Sequence, residues 1–193
     1  MESTEQSATV LVVDDETDLT ALYATWLESE YEVVTATSGE EALERVDGDV
    51  DVALLDRRMP DLSGDEVLAE IRRRSVGAQV AMLTAVEPDT DIAEMQFDDY
   101  VTKPVEREEV HAVVEVLLER RTYDRKSREF FALASKKAAL ESANEHDSEE
   151  YEALVERMAE IRREMDRTLD TLTAEEAFAQ LDSDGEFDFE DEF

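Results

Sequence analysis

The sequence predicts an α/β fold, a five-stranded parallel sheet alternating with helices as (βα)5, followed by an α-helical hairpin or coiled coil. Three observations predict it. Over the first 120 of 193 residues, short apolar runs alternate with stretches of helical periodicity. The inner runs are almost continuously apolar, as in strands covered on both faces. Beyond residue 121 the strand-like runs stop and only helical spacing remains.

The strand candidates are TVLVV (9–13), YEVVTA (31–36), VDVALL (50–55), AQVAML (78–83) and DDYVT (98–102). Between the first two, Leu19, Leu22, Tyr23, Trp26 and Leu27 recur at helical spacing and form an apolar stripe. The second helix begins at Ser38, an N-cap with Glu41 three residues on, the spacing of a capping box. GDEVLAEIRRR and EREEVHAVVEVLLERR supply the third and last helices of this part, and EPDTDIAEM predicts a short fourth.

Composition bounds the function. The formal net charge is −34, from 53 acidic and 19 basic residues spread over the chain, and arginine outnumbers lysine 15 to 4. Such a carboxylate surface repels itself unless salt screens it, which suits a protein of a halophile's cytoplasm. With no cysteine, disulfides, thiolate metal sites and cysteine nucleophiles are excluded. There is no long apolar span and no basic-then-apolar start, so a cytoplasmic location is expected.

Ligands of open α/β sheets sit at the carboxyl ends of the strands, where strand order reverses. Asp56 ends the third strand in LLDRRMPDLSG, and Asp14 and Asp15 end the first. In a flavodoxin-like order 2-1-3-4-5 those strands are neighbours, so three carboxylates converge. They repel one another unless a hard divalent cation is shared, and carboxylates with water suit Mg2+. Thr84 and Lys103 end the fourth and fifth strands at the same edge. The set suits attack of an aspartate on phosphorus, with Asp56 as phosphoacceptor. Mg2+ on Asp14, Asp15 and Asp56 then takes one phosphoryl oxygen, Lys103 a second, and the Thr84 hydroxyl with backbone N–H groups a third.

VLVVDDE, LLDRRMPDLSG, LTA and YVTKP resemble, in order and spacing, the receiver domain of two-component response regulators. The resemblance spans residues 8–121. It implies phosphotransfer from a histidine kinase to Asp56, with no catalysis beyond the domain's own phosphorylation and dephosphorylation. It further implies the Arg58 backbone carbonyl as a metal ligand, a cis bond before Pro104, and Tyr100 as a switch aromatic that turns inward as Thr84 moves. Tyr100 read alone is equally a core aromatic, and Gly64 a turn residue. Only 18 residues separate Thr84 from Lys103, which shortens the fourth helix relative to the family. A phosphatase of the haloacid dehalogenase type also attacks with a strand-end aspartate, but it needs a second acid where Arg58 stands. A dinucleotide site lacks its glycines in DDETD.

Residues 122–175 read as two helices, the second preceded by Asp147 and Glu150 at capping-box spacing. In that helix Tyr151, Leu154, Met158, Ile161, Met165 and Leu172 keep a coiled-coil seam interrupted at Thr168, and Phe130, Leu133, Ala134 and Leu140 are there to meet it. A helical domain after a receiver resembles the HalX domain of haloarchaeal regulators. Homodimerisation through these helices is expected. Seven basic residues against two acids lie between Arg120 and Lys137, so DNA contact is the alternative output, while pairing with the acidic second helix is the simpler reading. Residues 182–193 form an acidic tail with the composition of a disordered segment.

Overall fold

The computed structural model describes residues 7–88, 90–143, 145 and 148–183, apart from the side chains of 91 and 173–183. The described residues fall into two compact units that divide between Arg121 and Thr122.

The first unit is a parallel sheet of β1 (Thr9–Val13), β2 (Glu32–Ala36), β3 (Val52–Leu55), β4 (Gln79–Thr84) and β5 (Asp99–Thr102) in the order β2-β1-β3-β4-β5. Its inner strands alternate between two cores, as the two-residue period of a strand requires. Leu11, Val13, Ala53, Leu55, Val80 and Met82 face one side, where α2 (Gly39–Arg45) and α3 (Gly64–Arg73) contribute Ala42, Val67, Leu68 and Ile71. Val10, Val12, Val52, Leu54, Ala81 and Leu83 face the other, against Tyr23 and Leu27 of α1 (Thr17–Leu27) and Val110, Val114 and Leu117 of α4 (Arg107–Ser142). Burial on both faces is why β3 and β4 read as unbroken apolar runs.

The helix starts are made by side chains. The Ser38 hydroxyl accepts from Glu41 N–H, but the Glu41 carboxylate turns to Thr37 N–H at 2.7 Å, so the expected box closes one residue early. A complete capping box starts α3: Glu66 N–H donates to the Ser63 hydroxyl, and Ser63 N–H to Glu66 Oε2 at 2.9 Å. These contacts hold both glutamates below the ordinary carboxylate range, through the backbone hydrogen bond first in each case.

Two expectations are corrected, for Leu22 and the fourth helix, and two helices prove longer than their spacing marked. Leu22, placed in the apolar stripe of α1, is exposed, because Thr20, Tyr23, Ala24 and Leu27 hold the buried face. The fourth helix is only a 3-10 turn, Thr90–Glu94, too short a stretch to complete α-helical turns. The last helix of the first part and the first of the second are one helix, α4 (Arg107–Ser142), since no glycine or proline interrupts it. And α5 runs Glu149–Ser183, past residue 175, because TAEEAFAQ is made of good helix formers. Asp147 and residues 184–193 of the acidic tail lie outside the described residues.

In the second unit α4 and α5 form a helical hairpin. Partners on α5 run backward as those on α4 advance: Lys126 with Glu164 at 3.2 Å, Glu129 with Arg157 at 3.0 Å, and Glu141 with the Tyr151 hydroxyl at 2.8 Å. Ile161 is fully buried, while Tyr151, Leu154, Met158, Met165, Thr168 and Leu172 are all half-buried. The seam therefore faces inward within a single chain, and Thr168 keeps its place in it.

Candidate functional site

The site lies at the carboxyl edge of the sheet. Asp14 and Asp56 follow β1 and β3, whose pairing extends one step further where Asp56 N–H donates to Val13 C=O at 2.8 Å. On the other side, Lys103 N–H donates to Thr84 C=O at 2.8 Å, so β4 and β5 carry their pairing into the site as well. Both carboxylates are nearly closed off from solvent, Asp14 at 2% and Asp56 at 6% exposure.

Lys103 joins them. Its ammonium donates to Asp14 Oδ2 at 2.5 Å and to Asp56 Oδ1 at 2.9 Å. Burial alone lowers the lysine pKa, but the hydrogen bonds and charges of the two aspartates outweigh it and the net shift is upward. Among the described residues the remaining carboxylate contacts come from backbone: Glu16 N–H to Asp14 Oδ1 at 2.9 Å, and Arg58 N–H to Asp56 Oδ2 at 2.8 Å. Asp56 is thus held at both oxygens and cannot rotate without losing a charge-assisted bond.

Asp15, the residue after Asp14, is exposed. Among the described residues no three acidic, histidine or cysteine side chains are grouped to hold a metal. One ammonium nevertheless faces two buried carboxylates, so the cluster keeps one excess negative charge, with Asp15 beside it at the rim. A buried charge without a partner is costly by several kcal/mol. That imbalance, met by hard oxygen donors, fits a divalent cation.

Thr84 is buried at the end of β4, and its hydroxyl accepts from Val86 N–H at 3.3 Å. Tyr100, half-buried on β5, donates its hydroxyl to Val86 C=O at 2.7 Å and packs on Phe97 at 5.4 Å between ring centroids. Thr84 and Tyr100 thereby share one backbone residue. The Lys103–Pro104 peptide bond is cis.

Two features of the loop after Asp56 were not legible beforehand. Arg57 is buried and forks onto Asp65 in the first turn of α3, Nε to Oδ1 at 3.1 Å and Nη2 to Oδ2 at 3.2 Å. The signal available was a charged residue at the end of an apolar strand with an acid eight positions on. Gly64 donates its N–H to Arg57 C=O, and a Cβ on it would collide with the Asp56 carbonyl oxygen. Its role is therefore close backbone approach beneath Asp56. Between them, Asp61 takes a left-handed φ of 65°.

Among the seven basic residues of 120–137, four are engaged. Arg120 donates to Asp98 C=O, Arg121 pairs with Asp51, Lys126 with Glu164, and Lys137 with Glu141. Arg125, Arg128 and Lys136 are exposed and make no ion pair among the described residues.

A doubly wound parallel sheet of order 2-1-3-4-5, with buried acids and a lysine at its carboxyl edge, defines the receiver class of signalling domain. Residues 10–115 match the response regulator receiver domain family and residues 119–182 the HalX domain. The chain belongs to the response regulator receiver family, with a HalX domain following the receiver. It is 54% identical over 157 residues to a Haloferax volcanii protein named "Putative transcriptional regulator", covering 79% of this chain and 27% of that protein. It is 40% identical over 116 residues to the alkaline phosphatase synthesis transcriptional regulatory protein PhoP of Bacillus subtilis, covering 58% of this chain and 48% of that one. The chain thus spans a quarter to a half of the length of these relatives. Among solved structures it is similar to a CheY-like receiver domain of Methanospirillum hungatei (TM-score 0.56, 26% identity, 60% of this chain and 96% of the other). It is also similar to the response regulator TrrA of Thermotoga maritima in complex with Mg2+ and BeF (TM-score 0.50, 35% identity, 57% and 99%). Among the described residues no helix is long and apolar enough to cross a membrane.

Proposed function

We propose that this chain is phosphorylated on Asp56 by a histidine kinase, and that phosphorylation of a receiver of residues 8–121 switches the helical module that follows. The observation that carries the reading is the buried pair Asp14 and Asp56 sharing the single ammonium of Lys103. An ionised carboxylate needs no general base to attack phosphorus. A P–O bond forms to Asp56 as the P–N bond to the kinase histidine breaks, and the imidazole leaves with the electron pair. Lys103 is placed to follow charge from the Asp56 carboxylate to a phosphoryl oxygen, and Thr84, freed from Val86, to meet another.

Mg2+ would be held by Asp14, Asp56 and the Arg58 backbone carbonyl, with Asp15 at the rim, and would supply charge neutralisation at the phosphoryl oxygens. The solved relative with Mg2+ and BeF supports this ligand class. Tyr100 reads out the event: its hydroxyl bond to Val86 ties the switch aromatic to the same backbone residue that holds the Thr84 hydroxyl.

The test is acetyl phosphate labelling with Mg2+, expected to add one hydroxylamine-labile phosphoryl group. Labelling of Asp56→Asn equal to that of the unaltered chain would refute the assignment. DNA contact is the second reading, since relatives are named transcriptional regulators, and Arg125, Arg128 and Lys136 are the cations of 120–137 without an ion pair among the described residues. Salt-dependent retention on DNA with and without beryllofluoride reads that step.

A further inference from the structure

The loop after Asp56 leaves and re-enters the fold at one neck. Arg57 C=O accepts from Gly64 N–H at 3.0 Å, and the Arg57 guanidinium forks onto Asp65, the next residue, in the first turn of α3. Backbone and side chain thus close the loop side by side. Arg57 is buried, and its partner is an acid that the helix dipole favours at that position, so both ends of the fork are held.

Within the loop the backbone of Arg58 has two tasks. Its N–H donates to Asp56 Oδ2 at 2.8 Å, and its C=O is the proposed Mg2+ ligand. Neither task uses the Arg58 side chain, which is exposed. The backbone is fixed instead by the residues on either side of it: Met59, buried in the core shared with α3, and Arg57, held by the fork. Arg57, Arg58 and Met59 also line a cleft of about 430 Å3 together with Val86 and Glu87. Open space therefore separates the loop from the segment of Val86, and packing does not brace it from that side.

We infer that the Arg57–Asp65 fork is a positioning clamp, which holds the Arg58 backbone so that its N–H meets Asp56 while its C=O meets Mg2+. The inference rests on the proposed Arg58 carbonyl ligand. A guanidinium fork fixes direction as an ammonium cannot, because its donors are planar and parallel. The clamp acts through geometry rather than charge, and the two have opposite signs here. By Coulomb's law, loss of a cation next to Asp56 tightens a divalent cation at the site, whereas loss of the clamp weakens it.

Mn2+ titrated into the full chain in molar KCl, followed by the spin-resonance signal of the free ion, tests it, with Asp14→Asn giving the background of surface binding. Arg57→Gln, Arg57→Lys and the double variant Arg57→Gln, Asp65→Asn are all expected to weaken Mn2+ about ten- to a hundredfold, the range for groups that orient metal ligands. Charge alone gives tighter binding in the first and no change in the other two, and either result overturns the inference. Ile71→Val, in the buried face of α3 about two turns past Gly64, is expected to leave Mn2+ binding as it is. An equal loss there overturns the inference as well, since the fork would then act only through stability. In the metal-free chain, NMR should show the Arg58 amide exchanging with solvent faster in Arg57→Gln than in the unaltered protein. If Asp14→Asn binds Mn2+ as well as the unaltered chain, the metal reading fails, and unchanged exchange at Arg58 is then the result that overturns the clamp.

Discussion

The ammonium of Lys103 stands 2.9 Å from Oδ1 of Asp56, across 47 positions of sequence. The same group binds Asp14, so one cation holds together the carboxyl ends of two strands from the end of a third. Removing it leaves two buried carboxylates facing each other. Lys103→Met is expected to cost about 3 kcal/mol in Mg2+-free denaturant unfolding. Much of that loss should return with Mg2+ or with a second substitution, Asp56→Asn, in a double-mutant cycle. A loss equal in all three backgrounds would show that the lysine acts by packing alone.

The same pairing sets a pH dependence. Lys103 has a folded pKa above the ordinary lysine value of 10.5, so its contribution is complete below that pH and is lost as pH rises through the folded value. Stability should therefore fall above about pH 10.5 in the unaltered chain, and less steeply in Lys103→Met. Thermal melts between pH 9 and 12 check the difference in slope.

Gly64→Ala should be destabilising, since the added methyl meets the carbonyl oxygen of Asp56 and the backbone of Arg57 rather than a flexible side chain. Overpacking of this kind costs about 1–3 kcal/mol. The displaced backbone is that of Asp56 itself, so the rate of labelling by acetyl phosphate should fall with stability. A variant as stable as the parent but slow to label would separate the two effects.

Ile161→Ala is expected to cost the hairpin about 2–4 kcal/mol, because Ile161 is fully buried and its neighbours in the seam are only half-buried. Ile161→Lys should melt the hairpin. Loss of helical circular dichroism with retained labelling of Asp56 is the expected pair of readings.

A charge of −34 gives a further expectation. Raising KCl from tens of millimolar to molar should raise the melting temperature, since screening shortens the reach of carboxylate repulsion from roughly 30 Å at 0.01 M to roughly 3 Å at 1 M. An unchanged melting temperature would mean that the carboxylates are already compensated locally.

The site edge was legible because three of the five strands are followed by a residue whose chemistry differs from the run before it: Asp14 after TVLVV, Asp56 after VALL, Lys103 after YVT. Periodicity named the strands and topology gathered their ends. Arg57 stayed hidden because its partner is chosen in space: a fork onto Asp65 depends on the path of the loop between them. The cap at Ser63 was overlooked beside Gly64, which read as a turn residue. In the helices the spacing located the seam, although Thr168, read as an interruption, keeps its place there, and spacing could not decide whether a second helix of the same chain or of another would fill it. Rungs such as Glu129 with Arg157 settle that, and they depend on helix register that no local pattern encodes.

Asp14 and Lys103 are separated by 89 positions, with Asp56 roughly midway. A ribosome releases chain from the N-terminus at about 5–20 residues per second, so both acids emerge seconds before the cation that neutralises them. Until β5 is laid down at the edge, the growing sheet carries an uncompensated pair of carboxylates at its open end. Docking of the last strand therefore brings backbone pairing and charge closure together, and a nascent chain stopped before Asp99 has neither.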